Sequence, residues 1–137
     1  ESLQEGNYDW GIFTAAVADF QPESVFEGKL PSNQKQLSLK LVPTVKVIEE
    51  VRQHFPELKM VTFKYEENIS HEELMEIAKN RLSEKGGSQL VVANRVEEFK
   101  QDGTQVAWLL ESKQEPQKHI GKKDIANAIL DRIELTA

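Results

Sequence analysis

Cysteine is absent from all 137 residues, which excludes disulfides, thiolate metal sites and a cysteine nucleophile together and is compatible with a reducing compartment. Long apolar runs are missing too. No stretch approaches the roughly 18 residues of a membrane helix, and the acidic start "ESLQEGNYDW" has neither the basic nor the apolar region of a signal peptide. A soluble, cytoplasmic protein is the expectation. Positive charge is scarce: 17 Lys and Arg stand against 23 Asp and Glu, a net charge of −6. No global basic field draws in nucleic acid or an anionic membrane surface, so any anionic ligand must be held by a few placed groups. Trp10 and Trp108 are scattered and build no stacking platform for nucleic acid. His54, His71 and His119 lie far apart without ligand-type spacing, so no metal site is expected in the protein itself. Neither a G-x-G-x-x-G turn nor a P-loop occurs.

What remains is an ordinary globular composition, 39% hydrophobic and 29% charged, in a chain of one-domain length. Residues 1–137 read as a single α/β domain. "GIFTAAVADF" (11–20) is a continuous small and β-branched run, as in a strand covered on both faces of a parallel sheet. "QLSLKL" alternates, placing Leu37, Leu39 and Leu41 on one face of a half-buried strand or sheet edge. Pro43 then opens a helix over "TVKVIEEVRQHF", with Val45, Ile48, Val51 and Phe55 at helical spacing and Pro56 as its stop.

"KMVTFKY" reads as a strand, and Ser70 with Glu73 forms a capping box that opens a second helix with Leu74, Ile77, Ala78 and Leu82 inward. Gly86 and Gly87 stop it, and "QLVVAN" is another fully apolar strand. Asp102-Gly103, between two extended stretches, signals a hairpin. A closing helix in "GKKDIANAILDRIEL" sets Ile125, Ala126, Ile129, Leu130 and Ile133 on one stripe. This alternation predicts a layered α/β domain with a largely parallel sheet and a C-terminal hairpin, in which a ligand sits at the carboxyl ends of the strands. Asp19, Lys64 with Glu66, and Asn94 fall at those ends. From position alone they are either convergent ligand groups or turn-forming residues, Asp19 capping a turn before Pro22 and Asn94 adopting a loop conformation.

The strings themselves carry more. "AAVADFQP" followed by Lys29, then "LKLVPTVKVI", "VTFKYE" and "LVVAN", resemble in order and spacing the phosphopantothenoylcysteine synthetase (phosphopantothenate–cysteine ligase) family, from about Tyr8 to the final helix. The resemblance implies a Rossmann-like three-layer fold, a homodimer, and a two-step reaction. In it, a nucleoside triphosphate with Mg2+ activates 4′-phosphopantothenate as an acyl-nucleotidyl anhydride, and cysteine then displaces the nucleotide to form an amide. It further implies a fused or associated decarboxylase. The family's amino-terminal part, with a first strand, a glycine-rich turn and an asparagine for the acyl intermediate, is not among these residues, so the expectation is a chain that starts within the domain.

Residue by residue, Lys29 matches the lysine of a mobile flap that stabilises charge at the reacting centres, and so is the catalytic candidate as well as a nucleotide-binding one. The flap reads "KLPSNQK" here where bacterial members have a lysine-rich run. Phe13, Thr14 and Ala15 match backbone that contacts the nucleotide, and Asp19 matches a carboxylate accepting from its hydroxyl or amino groups. Thr44, Val45, Lys46 and Val47 match a nucleotide-binding turn at a helix start, a natural partner for anionic groups. Phe63 either packs on the nucleotide, as its match implies, or is a core phenylalanine. Arg81 and Lys85, one turn apart, match two cations on the triphosphate, and Asn94 is the substrate-binding candidate. Both CTP and ATP fit the resemblance, with a slight lean to CTP. The other reading is a noncatalytic nucleotide-binding or interaction domain that kept the scaffold.

Overall fold

The most apolar stretch of the chain, Leu90 to Ala93, lies at the centre of the sheet with every residue buried. The computed structural model describes residues 6–30, 32–33, 35–83 and 87–135. In chain order these form β1 (Trp10–Phe13), β2 (Phe20–Pro22), β3 (Leu41–Pro43), α1 (Val47–His54), β4 (Lys59–Glu66), α2 (His71–Ser83) and β5 (Leu90–Arg95). A short 3-10 turn (Val96–Glu98), β6 (Val106–Glu111), β7 (Gln117–Ile120) and α3 (Lys122–Leu135) complete them. The main sheet has the order β1-β4-β5-β6-β7, and β2 and β3 form a separate antiparallel ribbon. The pairs β1·β4 and β4·β5 are parallel, while β6 runs against both β5 and β7. All main-sheet strands except β6 therefore point one way.

Alternation across β5 explains why a strand can be apolar on both sides. Leu90 and Val92 pack with Val61, Leu109, Ile125 and Ile129, the last two from α3. Val91 and Ala93 face the other way, onto Leu74, Met75 and Ala78 of α2. The sheet is thus the middle of three layers, as expected, and each large apolar side chain so buried contributes about 1.5–3 kcal/mol. The Ser70–Glu73 capping box forms as read: the Ser70 N–H donates to Glu73 Oε2 at 2.7 Å and the Glu73 N–H to Ser70 Oγ at 3.2 Å. No helix among the described residues is long and apolar enough to cross a membrane.

Several expected elements take another form. The strand read over residues 11–20 stops at Phe13, because β1 follows β4 only from Trp10↔Lys59 to Phe13↔Thr62. Residues 14–19 leave the sheet as exposed chain. "QLSLKL" is not half buried: Leu37, Leu39 and Leu41 are exposed, and only Leu41 joins a strand, paired with Pro22. Pro43 belongs to β3 and does not open the helix, which starts at Val47 and buries none of its residues fully. β6 and β7 form one antiparallel pair, and β5 and β6 another, whose ten-residue connection carries Asp102-Gly103. Those two residues make a tight turn after the 3-10 segment, with Gly103 at φ 81° and its N–H donated to the Lys100 carbonyl at 2.8 Å. In α3 the inward residues are Ile125, Ala128 and Ile129, whereas Ala126 and Leu130 are exposed.

Candidate functional site

Because β1 ends early, the chain leaving it has to run along something else, and it runs beside the segment ahead of α1. The β2–β3 ribbon pairs Phe20 with Pro43. Just beyond this pair the Thr44 N–H donates to the Asp19 carbonyl at 2.9 Å and Thr44 Oγ1 donates to the Ala18 carbonyl. These bonds fasten residues 14–19 to residues 44–47 although about two dozen residues separate them in the chain. The pair of segments forms one wall of a cleft of about 1060 Å³, at the upper end of the range for small-molecule sites.

The rest of the lining comes from the sheet and the helices. Thr62 and Phe63 of β4, Arg81 of α2, and Gly87 and Ser88 ahead of β5 belong to it. α1 adds Ile48, Glu49, Arg52 and Gln53, residues whose i, i+1, i+4, i+5 spacing puts them on one side of a helix. Lys46 is the N-cap of α1 and no side chain caps this end, so the helix presents its partial positive charge and backbone N–H groups at the cleft. Lys46 and Arg81 enter no ion pair among the described residues. Arg52 is structural: Nη1 donates to the Pro56 carbonyl at 2.5 Å and Nη2 to the Gly87 carbonyl at 3.2 Å, tying the end of α1 to the segment ahead of β5.

The cleft brings together Phe13, Thr14, Ala15, Asp19, Thr44, Val45, Lys46, Val47, Phe63 and Arg81 from the sequence candidates. Phe63 is exposed, so it is a cleft residue and not a core phenylalanine. Lys29 is not part of the lining. It stands in the exposed segment between β2 and β3, after Gly28 at φ 102° with open space around it. Asn94 is half buried on β5 opposite Tyr65 and does not line the cleft either. Lys64 and Glu66 pair with each other at 2.6 Å. Lys85 lies outside the described residues.

The cleft also contains residues that sequence reasoning did not single out, chiefly Thr62, Ser88, Arg52, Glu49 and Gln53. A signal existed for Thr62, a hydroxyl in the otherwise apolar run "MVTF". The helix residues gave none, because charged residues on an exposed helix are ordinarily solvated. A second polar centre sits on α2's side of the 3-10 turn. Glu98 accepts from Trp108 Nε1 and from His71 Nδ1, each at 2.7 Å, and pairs with Arg95 Nε at 3.3 Å. An ionised carboxylate can only accept, so the His71 hydrogen is on Nδ1. Burial pushes the Glu98 carboxyl up, but the bonds from Trp108, His71 and Arg95 outweigh it and hold the group below the ordinary value of 4.5.

Three kinds of likeness bear on this architecture. The bifunctional coenzyme A biosynthesis protein CoaBC of Thermococcus kodakarensis is 33% identical over 132 residues, 96% of this chain and 32% of that protein. Its counterpart in Methanocaldococcus jannaschii is 34% identical over 129 residues, 93% and 31% of the two chains. The chain thus spans about a third of the length of these curated relatives. Among solved structures, the DNA/pantothenate metabolism flavoprotein from Streptococcus pneumoniae superposes with a TM-score of 0.81 at 23% identity, covering 99% of this chain and 68% of that one. The C-terminal domain of a CoaBC protein superposes at 0.66 and 22% identity, covering 95% and 55%. These two structures establish the three-layer fold. The profile of the DNA/pantothenate metabolism flavoprotein C-terminal domain matches residues 2–136, and on that match, which takes in the whole lining of the cleft, the chain belongs to this family.

Proposed function

We propose that this chain is the nucleotide-binding portion of a phosphopantothenate–cysteine ligase working in coenzyme A biosynthesis. One observation carries the reading: residues matched to nucleotide contacts on four separate sequence segments line a single cleft. In the proposed reaction the carboxylate of 4′-phosphopantothenate attacks the α-phosphorus of CTP or ATP, giving an acyl-nucleotidyl anhydride and pyrophosphate. The amine of cysteine then attacks the acyl carbon, forming the amide and releasing the nucleoside monophosphate.

The chain's own residues would divide the work. Main chain at Phe13, Thr14 and Ala15 lies against base and ribose, Asp19 accepts from their hydroxyl or amino groups, and Phe63 covers the nucleotide. Lys46, Arg81, Lys85 and the start of α1 offset the phosphate charge that a protein of net charge −6 otherwise repels. Asn94 serves the acyl substrate. Mg2+ would neutralise the triphosphate. No group of three or more potential ligand side chains occurs among the described residues, and the cleft carboxylates are Asp19 and Glu49. A cation carried by the phosphates themselves, with phosphate and water oxygens as most of its ligands, fits a cleft so sparing of carboxylates. Exposed Phe20, Phe26, Leu37 and Leu39 on and beside the β2–β3 ribbon support a homodimer contact there. The relatives' description as bifunctional supports an associated decarboxylase.

A second reading, a noncatalytic nucleotide-binding domain, is favoured by the position of Lys29 outside the cleft lining. Calorimetric titration with CTP and ATP, each with Mg2+, tests the shared premise: selective binding of one, weakened in Asp19→Asn, is expected, and no binding of either overturns it. Lys29→Gln separates the two readings. The ligase loses formation or turnover of the anhydride with its fold intact, whereas the binding domain loses nothing.

A further inference from the structure

Thr62 and Ser88 are the buried polar residues among those described, 2% and 4% exposed, and both line the cleft. Thr62 Oγ1 and Ser88 Oγ lie 2.7 Å apart. Each hydroxyl has one hydrogen to give and two lone pairs. Their mutual bond uses one hydrogen, and neither oxygen has a further partner among the described residues. One O–H therefore remains unspent at the bottom of the cleft, where an unsatisfied donor is costly and an apolar side chain would be easier to bury. Neighbouring positions make that choice: Val61 precedes Thr62 in β4, and Val91 is opposite it on β5, both fully buried.

The pair is also held in place by backbone. The Ser88 N–H donates to the Arg81 carbonyl at 3.2 Å, and the next amide, of Gln89, to the Met60 carbonyl at 2.9 Å. Gln89 returns a bond, its Oε1 accepting from the Met60 N–H at 2.6 Å. Thr62 is fixed by the pairing of β4 with β1 and β5. Such anchoring leaves little to reorganise when a ligand arrives.

We infer that the Thr62–Ser88 hydroxyl pair is the innermost hydrogen-bonding subsite of the cleft, taking a neutral group of the nucleoside that can both give and accept a hydrogen bond. The inference rests on the nucleotide reading above. Phosphate only accepts and would leave the pair's free lone pairs unused, whereas a neutral group that gives and accepts matches both; for phosphate the cleft has Lys46 and Arg81. A sugar hydroxyl and the amide or amino edge of a base share the chemistry it accepts.

The test uses the full-length protein, with Thr62→Val and Ser88→Ala, and Thr62→Ser as the conservative variant. CTP and ATP with Mg2+ are titrated beside their 2′-deoxy and 3′-deoxy forms and beside UTP and ITP. Each hydroxyl deletion is expected to raise Kd about tenfold, as for one lost hydrogen bond, while thermal stability falls modestly because the remaining buried hydroxyl loses its partner. Thr62→Ser is expected to retain affinity. The analogue that lacks the engaged group should bind unsubstituted protein weakly yet show no further loss in the variants; a deoxy analogue then identifies the sugar, UTP or ITP the base. Nucleotide binding with Kd within twofold in both deletions overturns the inference alone. Failure of the unsubstituted protein to bind any nucleotide overturns the proposed function and this inference with it.

Discussion

Replacing Glu98 by Gln tests whether the carboxylate joining α2, the 3-10 turn and β6 acts as a charged acceptor. Its side chain is 15% exposed, and it takes hydrogen bonds from Trp108 and His71 at 2.7 Å beside the Arg95 contact at 3.3 Å. Glutamine keeps the shape and one acceptor oxygen, but turns an NH2 toward another donor and leaves Arg95 without its partner at this site. Hydrogen bonds to charged groups contribute roughly 1.5–3 kcal/mol each. With one acceptor position retained and some solvent access, the expected loss is about 2 kcal/mol at pH 7, or a fall in Tm of about 8 °C for a domain of this size.

The pH dependence carries its own sign. The folded-state value of Glu98 is lowered from 4.5, so the unfolded chain binds the proton more readily and stability rises with pH through this window. The contribution is complete above the unfolded value and is lost as pH falls through the folded one. Urea denaturation of both proteins between pH 3 and 7 should therefore show a gap that is widest at pH 7 and narrows below about 4.5. A glutamine variant within 0.5 kcal/mol of the parent at pH 7, or a gap that widens on acidification, refutes the reasoning.

Other outcomes follow from the same contacts. Leu74, fully buried between α2 and the sheet, should cost about 2–5 kcal/mol as Leu74→Ala in chemical denaturation, because the packed site cannot collapse around the gap. Ser70→Ala removes the side-chain half of the cap on α2 and should lower stability by about 1 kcal/mol, read in the same assay. In calorimetry, Arg81→Gln should weaken the triphosphate far more than the nucleoside, whereas an equal loss for both would remove Arg81 from the phosphate end. If the ribbon is the dimer contact, Phe26→Ser, at a residue 59% exposed, should shift the protein toward monomer in light scattering without lowering the monomer's helix content.

Burial on both faces of a sheet leaves an unmistakable trace, so β4, β5 and α2 were legible from composition and spacing. β7 was not. Its residues "QKHI" are largely exposed, and what makes them a strand is the backbone of β6, a partner no local pattern announces. The ribbon misled for the opposite reason: Leu37, Leu39 and Leu41 alternate as a buried face would, yet they face solvent. Within the cleft, residues near Asp19, Thr44 and Phe63 were accessible through ordered strings. That Asp19 and Thr44 are neighbours depends on a bond across the ribbon. Thr62 and Ser88 acquire meaning only once each is seen to be buried against the other, a fact of tertiary structure.

The ribbon has a consequence for how this protein can vary. It continues past its paired strands with the Glu23 N–H on the Lys40 carbonyl at 2.9 Å and a Lys40–Glu23 ion pair at 2.6 Å, so the segment that carries Lys29 is closed off at its base. Closing a loop costs entropy that grows only with the logarithm of its length, about 0.6 kcal/mol per doubling. Insertions and deletions within residues 24–39 therefore cost folding little, and they leave the Asp19–Thr44 juncture where it is. The base of the ribbon insulates the geometry of the cleft from the segment most open to change.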